Sequence, residues 1–226
     1  MRTHFVVSFV ALSFTVAAYS GTSPGDDLFS GFDDGWRAPW MERAMARRSN
    51  TFRIETEKEN RFLRVDSQSS ASALWRRVDF DVDVGMARDF VLSWRWRVSM
   101  SLGHIEDERR RKSDDYAARV AVMFDAEPFD RNTPLLMYVW AGSETVGNVY
   151  PSPYTENAAT IVLRSGDMDS GEWLEEERDV SADFERYFGR SPERVTGVAL
   201  MVDTDNTDSK ATAWFDELKI YGEPIR

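Results

Sequence analysis

The run Asp203-Thr204-Asp205-Asn206-Thr207-Asp208 concentrates side-chain oxygen between two apolar stretches. Alternate positions in such a loop can aim several hard oxygens at one ion, which makes Asp203, Asp205 and Asp208 candidate ligands of a structural calcium. It is half a calcium loop, because the glycine and the distal glutamate of a helix-loop-helix site are absent. A turn capped by its own Asp and Asn side chains is the competing reading. Asp216 with Asp33 or Asp34 would make a second ion site. No other cofactor is expected.

A different chemistry needs two carboxyl groups flanking a glycosidic bond, one to protonate the leaving oxygen and one to attack or to activate water. Asp114 or Asp115 with Asp203 or Asp205 would serve, and Asp115 with Asp203 is the pair expected if the chain is an enzyme. With 39 acidic residues in the chain, however, such pairs arise freely. Histidine chemistry is nearly excluded, since His4 lies in a segment that reads as an export signal and His104 is the other of only two. A Ser-His-Asp triad or a zinc site would have to be built around that one imidazole. No glycine-rich phosphate loop follows a strand.

Arg95 and Arg97 share one face of their strand, and Arg119 and Arg164 are expected to point the same way from neighbouring strands. Such a face either binds carboxylates and hydroxyls or forms ion pairs with nearby aspartates. Trp140, Tyr150, Tyr154 and Trp173 pose a parallel choice: an aromatic plane beside polar groups can stack on a sugar, but most Trp rings pack in cores. Trp94, Trp96 and Trp214 are assigned to the core.

The elements that must position these groups are mostly strands. Phe90 to Val98 alternates strictly, with Phe90, Leu92, Trp94, Trp96 and Val98 on one face and Val91, Ser93, Arg95 and Arg97 on the other. The same period recurs at Val78 to Val84, Tyr116 to Phe124, Leu135 to Trp140, Thr160 to Arg164, Val198 to Val202 and Ala213 to Ile220. One helix is expected over Ser181 to Phe188, capped by Ser181 and ended by Gly189, and a second, weaker one within Trp40 to Arg48. His104 to Asp115 reads as a solvated charged insertion. Ala141 to Asn157 is too broken by Gly and Pro for a strand and could form the rim of a binding surface. Many strands and little helix predict an all-β, jelly-roll-like antiparallel β-sandwich.

Arg2, the apolar run Phe5 to Val16 and the small residues Ala17, Ala18 and Ser20 have the order of a cleaved export signal, 1–20. The run is shorter than the roughly 20 residues that span a bilayer. The remaining chain, 21–226, is expected to fold as one domain in the periplasm or outside the cell, as a monomer without a membrane span. It contains no cysteine, so its core rests on packing alone. The net charge of −11, which becomes −12 without Arg2, argues against nucleic acid as a partner.

Several short motifs occur in a fixed order: Trp94-Arg95-Trp96-Arg97, Asp114-Asp115-Tyr116-Ala117-Ala118-Arg119, Tyr138-Val139-Trp140, Leu163-Arg164-Ser165-Gly166, Trp173 with Glu177-Arg178-Asp179-Val180, Phe188-Gly189, Asp203 to Thr207, and Trp214. Together, from about Phe29 to Ile220, they resemble the exported bacterial domain-of-unknown-function family three-zero-four-seven. Ser113 and the pair Asp216-Glu217 depart from that family's usual glycine and Gly-Asp. The resemblance implies a β-sandwich shaped like carbohydrate-binding modules, with no established activity. It also implies a polar signature on Asp114, Asp115, Arg119, Arg164, Asp203, Asp205 and Asn206. With Arg95, Trp140 and Tyr150 these are the expected ligand-binding residues. The partner expected is a carbohydrate or cell-envelope polymer, bound without being transformed. A glycoside hydrolase or lyase, or a structural protein of the envelope, are the alternatives.

Overall fold

A computed structural model describes residues 26–28, 37, 39–81, 88–103 and 105–224. The expected export signal, Asp33, Asp34, His104 and the end of the 78–84 run fall outside them. Among the described residues thirteen strands occur in chain order: β1 (Asp26–Asp27), β2 (Met41–Ala44), β3 (Thr51–Glu57), β4 (Asn60–Gln68), β5 (Ala71–Asp81), β6 (Arg88–Val98), β7 (Tyr116–Phe124), β8 (Leu135–Ala141), β9 (Val149–Ser152), β10 (Thr155–Ser165), β11 (Leu174–Asp179), β12 (Arg194–Asp203) and β13 (Lys210–Pro224). Among the described residues the one α-helix, α1 (Val180–Phe188), lies between β11 and β12. One sheet runs β11-β6-β13-β4-β3, with β1 also on β13; the other runs β2-β5-β12-β7-β8-β10-β9. Every pairing is antiparallel except β8 with β10. Among the described residues no helix is long and apolar enough to cross a membrane.

The alternation in β6 works as expected, because Trp94 and Trp96 turn inward while Arg95 and Arg97 stay partly solvated. Inside, Trp94 meets Tyr138 at 5.4 Å and Trp96 meets Trp140 at 5.9 Å, which ties the two sheets together. Such ring pairs contribute about 0.5–1.5 kcal/mol each beyond the area they bury. Central strand β7 is buried along its whole length, so its sequence is nearly continuously apolar. Its inner residues Val120 and Val122 oppose Tyr138 and Leu136, while its outer residues Arg119 and Ala121 oppose Val139 and Met137. The sandwich is jelly-roll-like, as the strand pattern predicts.

Helix α1 closes one end of the core through Phe184, whose ring lies 4.6 Å from that of Phe124. Its cap is Asp179, which accepts from the Ala182 N–H, and not Ser181, whose hydroxyl instead accepts from the Phe90 N–H. Gly189 ends it in the left-handed region at φ 71°. The second expected helix is absent. Met41 to Ala44 form β2 because the edge of β5 offers unpaired backbone groups, and ladder pairing satisfies them.

Trp214 is also not a core residue. It stands on the outer face of the six-stranded sheet, with Arg97 4.3 Å and Arg64 5.4 Å from its ring. Its indole N–H donates to the half-buried Glu55 at 2.8 Å, on the sheet's outer face.

Candidate functional site

Strand β7 begins beside the point where β12 leaves its sheet, because Asp203 is paired with Tyr116 across the two strands. The segment entering β7 therefore meets the oxygen-rich loop after β12. Asp115, fully buried, spends its carboxylate on that loop. Oδ1 accepts from the Asn206 N–H at 3.2 Å and from Asn206 Nδ2 at 3.0 Å, while Oδ2 accepts from the Thr207 N–H at 2.7 Å and Thr207 Oγ1 at 2.6 Å. These four bonds make Asp115 the anchor of the loop. A carboxylate so fully occupied is a poor acid, base or nucleophile, so the geometry does not favour a catalytic Asp115–Asp203 pair.

Asp114 turns the other way, to Arg119 on the outer face of β7. Arg119 Nη2 lies 3.5 Å from Asp114 Oδ2 and 3.8 Å from Asp203 Oδ2, and it donates to the Asp114 carbonyl at 3.4 Å. Its guanidinium sits 4.7 Å from the Tyr116 ring centroid. All three charged side chains are buried. Burial pushes the carboxyls of Asp114 and, more strongly, Asp203 above the usual carboxylate range, and Arg119 opposes the shift in both. Burial also works against the charge on Arg119, but Asp114 and Asp203 outweigh it and keep its pKa above the ordinary value. Asp114 Oδ1, Asp203 Oδ1 and Arg119 Nε are shielded from solvent and have no hydrogen-bond partner among the described residues.

Tyrosines surround this trio. Tyr116 and Tyr150 share a hydroxyl–hydroxyl bond of 2.9 Å, and burial raises the pKa of both. Tyr154 is 52% exposed, donates to the Arg111 carbonyl at 3.1 Å, and has the Arg111 guanidinium 5.3 Å from its ring. Its pKa is raised first by burial and then by the charge of Asp114, and a hydrogen bond with Asn206 opposes the rise, which places the ring beside this cluster. Asp205 is exposed at the same spot.

The structure thus brings together Asp114, Asp115, Arg119, Asp203, Asp205, Asn206 and Tyr150. It does not bring Arg95, Arg164, Trp140 or Asp208 to them. Arg95 belongs to the other sheet, where it pairs with Asp216 at 2.5 Å and stacks 4.9 Å from Trp173. A single-strand alternation gives the face of a residue within its own sheet but not which sheet it is in. Arg164 follows an irregularity in β10 and reaches across to Glu176 of β11 at 2.7 Å. Trp140 is 1% exposed, with its indole N–H on the Gly166 carbonyl at 3.0 Å. Asp208 accepts from the Ser69 hydroxyl instead of facing Asp203 and Asp205.

Sequence reasoning missed Glu108, which lies in the segment read as a solvated insertion but is 2% exposed. Its Oε1 accepts from the Ser143 and Glu144 N–H groups, at 2.6 and 3.2 Å, and pins that segment to the 141–157 loop. Burial raises its pKa. Nothing in the surrounding run of charges distinguishes it. Tyr116 was legible only as part of the Asp-Asp-Tyr motif.

Residues 35–219 match the family model described as Protein of unknown function (DUF3047). No curated protein matches the chain. Among solved structures, the chain is similar to the family 11 carbohydrate-binding module of the cellulosomal cellulase Lic26A-Cel5E of Clostridium thermocellum, with a TM-score of 0.45 and 8% identity over 89% of this chain and 95% of that one. It is similar also to the cellulose induced protein Cip1, with a TM-score of 0.44 and 14% identity over 88% and 96%. A third is a cellulase derived from Cel12A of Rhodothermus marinus, with a TM-score of 0.44 and 12% identity over 82% and 93%.

Proposed function

The chain belongs to this family of unknown function, so its activity must come from its own residues, and we propose that it binds a carbohydrate or a hydroxyl-rich cell-envelope polymer without cleaving it. The observation that carries the reading is the exposed ring of Tyr154, set with the exposed Asp205 beside the buried Asp114–Arg119–Asp203 cluster. An aromatic face takes a sugar's C–H surface, and an exposed carboxylate accepts from its hydroxyls. Binding without cleavage follows from the carboxyls. Asp115 is committed to four donors, so the Asp115–Asp203 pair lacks the free second carboxylate that glycoside hydrolysis needs. In the exported compartment that the leader implies, the ligand would be an extracellular or envelope glycan.

The test is affinity electrophoresis and calorimetry of the 21–226 chain against soluble β-glucans, xylan, chitooligosaccharides and peptidoglycan fragments, with product analysis of every positive. We expect binding to one class, with Tyr154→Ala weakening it roughly three- to tenfold. Cleaved product would replace binding by catalysis at Asp114 and Asp203. A folded protein that binds none of these glycans would overturn the reading in favour of a structural partner of the envelope.

A further inference from the structure

The foot of the 203–208 loop holds more negative charge than the neighbouring cations neutralise. Asp115, Asp203 and Asp205 each present a carboxylate oxygen, and the three oxygens lie within 4.8 Å of one another. Asp114 stands alongside, joined to Asp203 through Arg119, the one cation paired with either among the described residues. Its contacts of 3.5 and 3.8 Å are longer than a well-formed charged hydrogen bond. An acidic cluster alone would prove little. Here Asp203 is 6% exposed, turns Oδ2 to Arg119, and leaves Oδ1 shielded and without a donor among the described residues. A buried carboxylate oxygen without a partner is costly, and a cation shared with the neighbouring carboxylates would satisfy it.

We propose that Asp115, Asp203 and Asp205 hold a hard divalent cation, calcium by preference. An all-carboxylate set offers neither nitrogen nor sulfur, which disfavours zinc and copper. Rigidity separates calcium from magnesium. Calcium tolerates an irregular set of oxygen ligands at about 2.3–2.6 Å, whereas magnesium at about 2.1 Å demands near-ideal octahedral geometry and keeps most of its waters. Asp115 Oδ1 would exchange its side-chain bond from Asn206 Nδ2 for the ion and keep the Asn206 N–H, while Oδ2 keeps Thr207. Asp208 drops out of the set expected from sequence because its side chain is bonded to Ser69. The ion would fasten the entry of β7 to the β12–β13 loop. It does not depend on the saccharide reading.

The test uses the metal alone. Chain 21–226 stripped with chelator is titrated with CaCl2 and MgCl2 by calorimetry, and with terbium for luminescence sensitised by the nearby tyrosines. Calcium should bind with Kd on the order of 0.1–1 mM, the range of extracellular calcium modules, and magnesium more weakly. Asp205→Asn alters an exposed residue, so it should fold normally and bind calcium at least tenfold more weakly, while Asp208→Asn should match the parent. No calcium binding by folded parent protein at about 10 mM would overturn the proposal. So would an Asp205→Asn variant that binds as tightly as the parent, or an Asp208→Asn variant that loses the ion equally. With no glycan present, failure here leaves the saccharide reading standing, and a glycan that does not bind leaves this one standing.

Discussion

Replacing Asp115 with Asn changes one atom of a buried group, and its cost can be worked out bond by bond. The carboxylate accepts four hydrogen bonds, two from backbone N–H groups and two from side chains. In Asn one oxygen becomes an amide that donates, so two former donors face a donor. The side-chain partner on either side can adapt: Asn206 can flip its amide and Thr207 can rotate its hydroxyl. The backbone N–H cannot, and whichever way the new amide points, one part-buried N–H is left without its acceptor. That costs about 1–3 kcal/mol, and losing charge assistance in the surviving bonds brings the expected destabilisation to roughly 2–4 kcal/mol. This is a large part of the 5–15 kcal/mol typical of a domain. Urea unfolding followed by circular dichroism, in chelator so that no metal contributes, reads it as a lower midpoint at an unchanged slope. A folded Asp115→Asn variant within about 0.5 kcal/mol of the parent would refute the anchoring role.

Arg119→Met should be more damaging, by roughly 3–5 kcal/mol in the same assay, because Asp114 and Asp203 would lose the buried countercharge that Arg119 supplies. Gly142→Ala should fold poorly or not at all, since its Cβ would stand 2.2 Å from the Gly103 carbonyl oxygen, and soluble yield with thermal melting will show it. Tyr138→Phe should cost about 1 kcal/mol, because Asp183 loses the 2.9 Å hydroxyl bond but keeps Arg178. Glu144 has its pKa lowered to about 2, first by the hydrogen bond from Arg109. A depressed carboxylate stabilises the fold above its unfolded value and loses that contribution as pH falls towards 2, so parent and Glu144→Gln stabilities should differ at pH 6 and converge near pH 2 in acid titration.

Period-two alternation made β6 legible to within a few residues, because burial on one face imposes a pattern that needs no partner to be seen, while β7 and β12, buried on both faces, carry apolar runs of strand length. The helix was legible too, since Gly189 and the Phe184 stripe are local signals. Strands β3 and β4 were not singled out, because their faces carry mixed charge and half-buried residues. The candidate site was half legible. Asp114, Asp115, Arg119, Asp203, Asp205 and Asn206 stood out as polar residues within ordered motifs, and the pairing of β7 with β12 brings them together.

By itself the sequence determined the strand periods, the inward faces of β6 and β7, the helix end at Gly189 and an oxygen-rich loop after β12, since each follows from neighbours along one chain. Only the tertiary structure decided which sheet each strand joins, and with that which charges meet. It sent Arg95 to Asp216, spent Asp115 on backbone N–H groups, withdrew Asp208 to Ser69, and left Asp203 Oδ1 unpartnered. Those outcomes depend on contacts between residues as much as 139 positions apart, as in the bond from Ser69 to Asp208, and on burial, which sets what an unpaired charge costs.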